Sequence, residues 1–360
     1  MKAPWNSDYH PNINLQMNYW LAESCNLSEC HLPLFDWMET LVEPGRRTAE
    51  IHYGARGWVL HHVSDIWGCT TPMDGVWGVW PMGAAWLCRH LWDHYEFTGD
   101  EGFLRDRAYP LMKGAARFLL DFLIEIPAGL PFAGRWVTNP SHSPENAFLK
   151  ADGTTAKLTY GATMDLEIVH DLFTNTLAAL DRFPALSAED RSFRDELTRA
   201  LDRLVPLQIS ARTGRLQEWI EDYDEPEPGH RHMSHMYGLY PGWEITPRRT
   251  PDLARACRVS LERRLAAKVP QLLTMAASTI STIAQKPAQL LRRIVDVQQE
   301  FLAAQDPDIL KGSYICYQGG FIEQEREVPR PANYGAEITE ASLTQHLQAR
   351  FPGCRVEKLS

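Results

Sequence analysis

Apolar residues recur at three- and four-residue spacings through most of this chain, and that rhythm predicts helices. Between Gly83 and Tyr95, the residues Trp86, Leu87, His90, Leu91 and Tyr95 fall along one stripe. Gly99-Asp100 then breaks the pattern. Asp100, Phe103 and Leu104 open a partner helix that takes in the run from Leu111 to Leu123. Thr163 to Phe183 carries Leu166, Val169, Leu172, Phe173, Leu177 and Leu180 on one face. Ser187 with Asp190 offers an N-cap to a helix ending near Leu204. Further helices are expected from Gln16 and over Pro251 to Ala267, while strand-like alternation is nearly absent. The expected fold class is all-α: helix pairs joined by short turns, with polar chemistry in the connections.

Composition narrows the partners. Hydrophobic content of 44% and charged content of 23% over 360 residues are those of a soluble globular protein with one large domain or two ordinary ones. The net charge of −10, without a basic stripe, excludes nucleic acid as a natural partner. No apolar run is long enough to span a bilayer, and no charged-then-apolar leader follows Met1. That leaves no membrane partner and an open localisation. Seven scattered cysteines, with Cys25 and Cys30 too widely spaced for a CxxC pair, read mostly as small core residues without a disulfide framework. All twelve tryptophans lie at or before Trp243. Aromatic faces suit the apolar faces of pyranose rings, although large helical domains also fill cores with Trp.

Three polar segments carry candidate chemistry. Asn139-Pro-Ser-His-Ser-Pro-Glu-Asn146 holds two closely spaced prolines, which argue against a helix and place Glu145 on a loop. A capping turn with an incidental Glu is the plain alternative. In Asp8-Tyr-His-Pro-Asn-Ile-Asn14, Asn12 and Asn14 would face one side if the segment is extended. They could equally serve as turn or cap residues. His230-Arg-His-Met-Ser-His235 invites a metal site. Its spacing does not converge readily on one ion without further ligands, so structural histidines or hydroxyl contacts are the better reading and no metal or cofactor is expected.

These segments belong to longer stretches: PWNSDYHPNINLQMNYWLAESCNL, SDIWGCTTPMDGVWGVWPMGAAWLC, NPSHSPENAF and EWIEDYDEPEPGHRHMSHMYGLYPG. Together, and in this order, they resemble the catalytic domain of glycoside hydrolase family 95, whose best-known members are 1,2-α-L-fucosidases. The resemblance covers roughly residues 3 to 265. It implies an (α/α)6 toroid, here partial, acting on fucosylated oligosaccharides by inversion. Inversion needs a general acid under the leaving oxygen and a base that activates water on the opposite ring face. By resemblance Glu145 is the acid, and it then needs a pKa well above that of a free Glu. Asn12 and Asn14 sit at the sugar, one positioning the attacking water with help from an Asp. His10, Asp65, Trp80, Arg231 and His232 match the sugar-contacting positions.

The chain also departs from the family. The Asp that assists the asparagines lies in an Ile-Asp-Gly-Asn segment that does not occur here. Asp222 and Asp224 are the nearest local carboxylates, but both read as surface acids. The family's large β-rich domain does not precede the first motif, and residues 267–360 carry none of its motifs. The expected organisation is therefore a truncated glycosidase domain over 1–266 and an unrelated or rearranged tail over 267–360, with impaired activity. A catalytically inactive sugar-binding fragment is the alternative. A sugar epimerase-like toroid enzyme, with His10 and His232 as acid and base, is a more distant one.

Overall fold

The helical periodicity is realised in nine helices among the described residues, 4–283, of a computed structural model. The chain first forms α1 (Asn14–Ser24), α2 (Leu32–Thr40) and α3 (Val42–Thr48), the last running into a wider turn at Ala49–Tyr53. Helix α4 (Gly83–Thr98) ends where Gly99 takes φ +67°, a left-handed cap that costs glycine nothing. Asp100 then caps the next start by accepting the Phe103 N–H at 2.9 Å. From there α5 (Glu101–Phe103) leads through Leu104–Ala108 into α6 (Tyr109–Phe122). Helix α7 (Thr163–Arg182) precedes α8 (Ala188–Arg203), whose Ser187 cap accepts the Asp190 N–H at 3.0 Å. Helix α9 (Pro251–Ile283) runs well past the expected end at Ala267.

The described chain is mainly helical, with one correction. Two small antiparallel sheets interrupt it: β1 (Leu123–Glu125) pairs with β2 (Trp136–Thr138), and β3 (Phe148–Leu149) pairs with β4 (Thr155–Ala156). Strands of two or three residues are too short to show alternation. They hold the connection between α6 and α7, where the Glu145 loop lies.

The core forms where α7 packs against α4, α6 and α8. Its largest wholly enclosed side chains are Trp58, Trp80 and Trp86. Close backbone approach sets part of this packing. Gly57, at φ +71°, lies so near α6 that a Cβ there would sit 2.0 Å from the Gly114 carbonyl oxygen. Trp58 next to it donates its indole N–H to the Leu111 carbonyl at 3.0 Å. The described cysteines are free; Cys88 and Cys257 are core residues, Cys69 is partly buried, and Cys25 and Cys30 are exposed, so fewer than expected serve the core. No helix among the described residues is long and apolar enough to cross a membrane. The expectation for the tail concerns, from residue 284 onward, positions outside the described residues.

Candidate active site

In the loop from Asn139 to Ala147, Ser141 to Pro144 and Asn146 are buried, and Glu145 is its half-buried tip. Polar anchors beneath it explain how a loop can be so fixed. Ser141 exchanges backbone hydrogen bonds with Thr159 (2.9 and 2.8 Å) and gives its hydroxyl to Asp165 at 2.6 Å. On the near side of Glu145, Ser143 donates to Glu218 at 2.7 Å. On the far side, the Asn146 amide donates to Glu218 at 3.2 Å and to Glu225 at 3.3 Å. Ser234 donates its hydroxyl to the Pro144 carbonyl.

Glu218 and Glu225 are themselves buried and therefore need cations. Arg264 of α9 supplies one to both, at 2.5 and 2.7 Å, and Arg215 reaches Glu225 at 2.5 Å. The glutamate tip thus rests on a closed ionic base. Only its own carboxylate is left to face outward.

That carboxylate meets Arg231 at 2.6 Å and His232 at 3.4 Å. His232, then Arg231 and His62, hold its pKa down at about 2 despite burial. This corrects the expectation of a raised value. In this state Glu145 is ionised, and it becomes an acid only once Arg231 and His232 turn to another partner. His62, buried beside Asp74 at 3.4 Å, is held neutral mainly by burial and feels both His10 and Glu145. Behind the loop, the His142 ring meets the edge of Trp77 at 5.7 Å, and Lys157 sits 4.1 Å from the face of that Trp.

The N-terminal segment is tied in by a bridge in which Tyr9 and Ser64 exchange hydrogen bonds of 2.8 and 2.7 Å. This sets His10 near His62. Asp65 accepts the Trp67 and Cys69 N–H groups at 2.9 and 3.1 Å, closing its own loop. Asn12 and Asn14 do not lie on an extended segment sharing one face; the turn-and-cap alternative describes them. Residues 11–13 form a turn, Ile13 lies at φ 146°, and Asn14 already opens α1. Buried Gln16 fixes this turn by accepting the Ile13 N–H at 3.0 Å and donating to the Pro11 carbonyl at 2.9 Å. Asn12 is buried, and its side-chain oxygen has no hydrogen-bond partner among the described residues.

Of the expected site residues, Glu145, Arg231 and His232 are therefore in direct contact, and His10 stands near them through His62. Trp80 is not an open face. It is wholly enclosed and gives its indole N–H to Asp165 at 3.0 Å, where burial pushes that carboxyl up to about 7. Nor do the three histidines of the His230 segment gather about one point. The ring of His230 accepts the His232 N–H at 3.2 Å, His232 faces Glu145, and buried His235 lies 3.3 Å from Glu218. Asp222 and Asp224 are exposed, and Asp224 pairs with Arg212 at 2.8 Å, as fits surface acids. Residues not anticipated are His62, Trp77, Glu218, Glu225 and Arg264. The His61-His62 pair just before Ser64-Asp65 was the available signal for the first of these.

The chain is 44% identical over 266 residues to alpha-L-fucosidase 2 of Arabidopsis thaliana, covering 73% of this chain and 30% of that protein. It is 36% identical over 245 residues to the probable alpha-fucosidase A of Aspergillus niger, covering 67% and 30%. Over 249 residues it is 27% identical to the protein of the same name in Aspergillus oryzae, covering 68% and 24%. The chain thus spans about a third or less of the length of these curated relatives. The glycosyl hydrolase family 95 catalytic domain matches residues 1–289, and the chain belongs to that family.

Proposed function

We propose that this domain is the sugar-cleaving part of an inverting α-L-fucosidase acting on fucosylated oligosaccharides, built as part of an (α/α)6 toroid. The observation that carries this reading is Glu145, a single carboxylate aimed from a loop whose flanks are locked by the Glu218–Arg264 base. The family match and the α-fucosidase names of the relatives supply the substrate class. When a sugar enters, its hydroxyls draw Arg231 and His232 away from Glu145. Burial of the carboxyl then raises its pKa, and it protonates the leaving oxygen. Asn12, with an unpartnered side-chain oxygen, and Asn14 hold the attacking water on the opposite ring face.

Water activation also needs a base stronger than an amide. Among the described residues no carboxylate hydrogen-bonds either asparagine, and Asp222 and Asp224 are engaged at the surface. We expect turnover to be low on that account, since a general base contributes on the order of 10²–10⁴-fold. The second reading, a domain that binds fucosides without cleaving them, rests on the same observation. The test is release of L-fucose from 2′-fucosyllactose by the purified chain, followed by NMR so that the first-formed anomer is seen. Slow release of the β-anomer, lost in Glu145→Gln, supports the inverting hydrolase. Saturable fucose binding without release supports the second reading. Release unaffected by Glu145→Gln removes Glu145 as the acid.

A further inference from the structure

At the opposite end of α1 from Asn14, about 14 Å away along the helix axis, three ligand-type side chains converge. Glu23 near the end of α1, His31 just before α2 and His94 on α4 place their ligand atoms within 4.8 Å of one another, and all three residues are buried. Both imidazoles aim the same atom at the same target: Nδ1 of His31 lies 2.6 Å, and Nδ1 of His94 2.7 Å, from Oε1 of Glu23. Ser28 adds a hydroxyl to the other carboxylate oxygen.

The charge of this cluster is not balanced by a strong cation. Among the described residues, no lysine or arginine pairs with Glu23; its ion-pair partners are the two histidines. Buried charges in proteins are paired or coordinate metals. The walls are apolar, with Tyr19 stacked 5.6 Å from His31 and Phe103 4.5 Å from His94.

We propose that Glu23, His31 and His94 form a binding site for a divalent transition metal ion, with zinc the best match, that clips α1 to α4. Two imidazoles and one carboxylate are a donor set suited to zinc, with the fourth position left to the second Glu23 oxygen or a water. Zinc bonds of about 2.0–2.1 Å in a tetrahedron set neighbouring ligand atoms about 3.3 Å apart. The present contacts open by less than an ångström to admit the ion. With its ring hydrogen on Nε2, each imidazole offers the Nδ1 lone pair to the ion. For His31 a recipient is already in place, because its Nε2 lies 3.1 Å from Nδ1 of His90. That hydrogen bond is the outer contact that orients a metal-bound histidine.

The test is titration of the full-length chain, stripped with chelator, with Zn2+ and separately with Co2+. The expected result is one equivalent of either ion bound, a raised thermal midpoint, and the visible absorption of tetrahedral Co2+. Glu23→Gln and His94→Asn are expected to weaken binding at least tenfold. Should either variant fail to fold, X-ray absorption of the zinc-loaded wild-type chain decides, since two imidazole ligands are required. Failure of the folded wild-type chain to bind stoichiometrically overturns the proposal. So does binding that survives both substitutions, or a zinc shell without imidazole. Any of these leaves Glu23 as a plain acceptor for two ring N–H groups.

Discussion

Glu145 shows at the level of one residue how much its neighbours decide. Its loop position was legible from the prolines at 140 and 144, and its closeness to Arg231 and His232 followed from the family resemblance. Its ionisation was not legible, because sequence spacing does not reveal which cations lie within reach. A carboxyl held at about 2 stabilises the fold above its unfolded pKa of about 4.3, and that contribution is lost as pH falls towards 2. In Arg231→Met the Glu145 carboxyl should titrate at higher pH, nearer to about 4.3, as followed by NMR of the side-chain carbon. An unchanged titration would mean that Arg231 is not one of the groups holding the charge. Trp80 carries the opposite lesson. A ring assigned to the sugar by resemblance is a core side chain serving Asp165. Trp80→Phe should cost about 1–3 kcal/mol in urea unfolding, because it strips a buried carboxyl of one donor. For Asn12 and Asn14 the backbone decided between the two placements the sequence left open: alternation fails once Ile13 adopts φ 146°.

Among elements, the long helices were the most legible. The stripes over α4, α6 and α7, the glycine at 99 and the caps at Asp100 and Ser187 all act within one or two turns, so local sequence contains them. The two short sheets and the ionic base under the loop depend on contacts between distant segments. Ser143 and Glu218 are 75 residues apart in sequence, and no periodicity links them. Breaking that base is the sharpest test at this scale. Glu218→Gln leaves Arg264 and the loop donors short of one buried charge and should cost about 3–5 kcal/mol. Urea denaturation measures that loss, and limited proteolysis should cut between Asn139 and Ala147 sooner than in the wild type. Gly57→Ala should also destabilise, since the added Cβ meets the Gly114 carbonyl of α6 and φ is +71°. A wild-type melting temperature for that variant would mean that the segment can retreat from α6.

For the molecule as a whole, the buried ionisable groups predict how stability follows pH. Burial depresses many imidazoles: His61, His142 and His230 fall to about 4, and His90 and His235 to about 3. The unfolded chain protonates these rings below about 6.5 while the folded chain does not, so stability rises with pH up to that value. Fewer carboxyls shift the other way. Burial pushes Asp93 up to about 6, Asp165 to about 7 and Glu244 to about 8, and raises Glu167 well above its ordinary value. Here the folded state keeps a proton that the unfolded state has released, so stability falls as pH climbs from about 4 through each folded value. Burial also lowers His31, His62 and His170, so between about 4 and 6.5 eight imidazoles outweigh the four carboxyls and the net slope is upward. Above about 6.5 the unfolded imidazoles have lost their protons and the carboxyls alone set a shallower decline. Urea midpoints of the full chain between pH 4 and 9 should therefore peak near pH 6.5, with the steeper side in acid. A midpoint still rising at pH 8 would mean that Asp165 and Glu244 are ionised in the folded protein, and that unseen partners balance their charge.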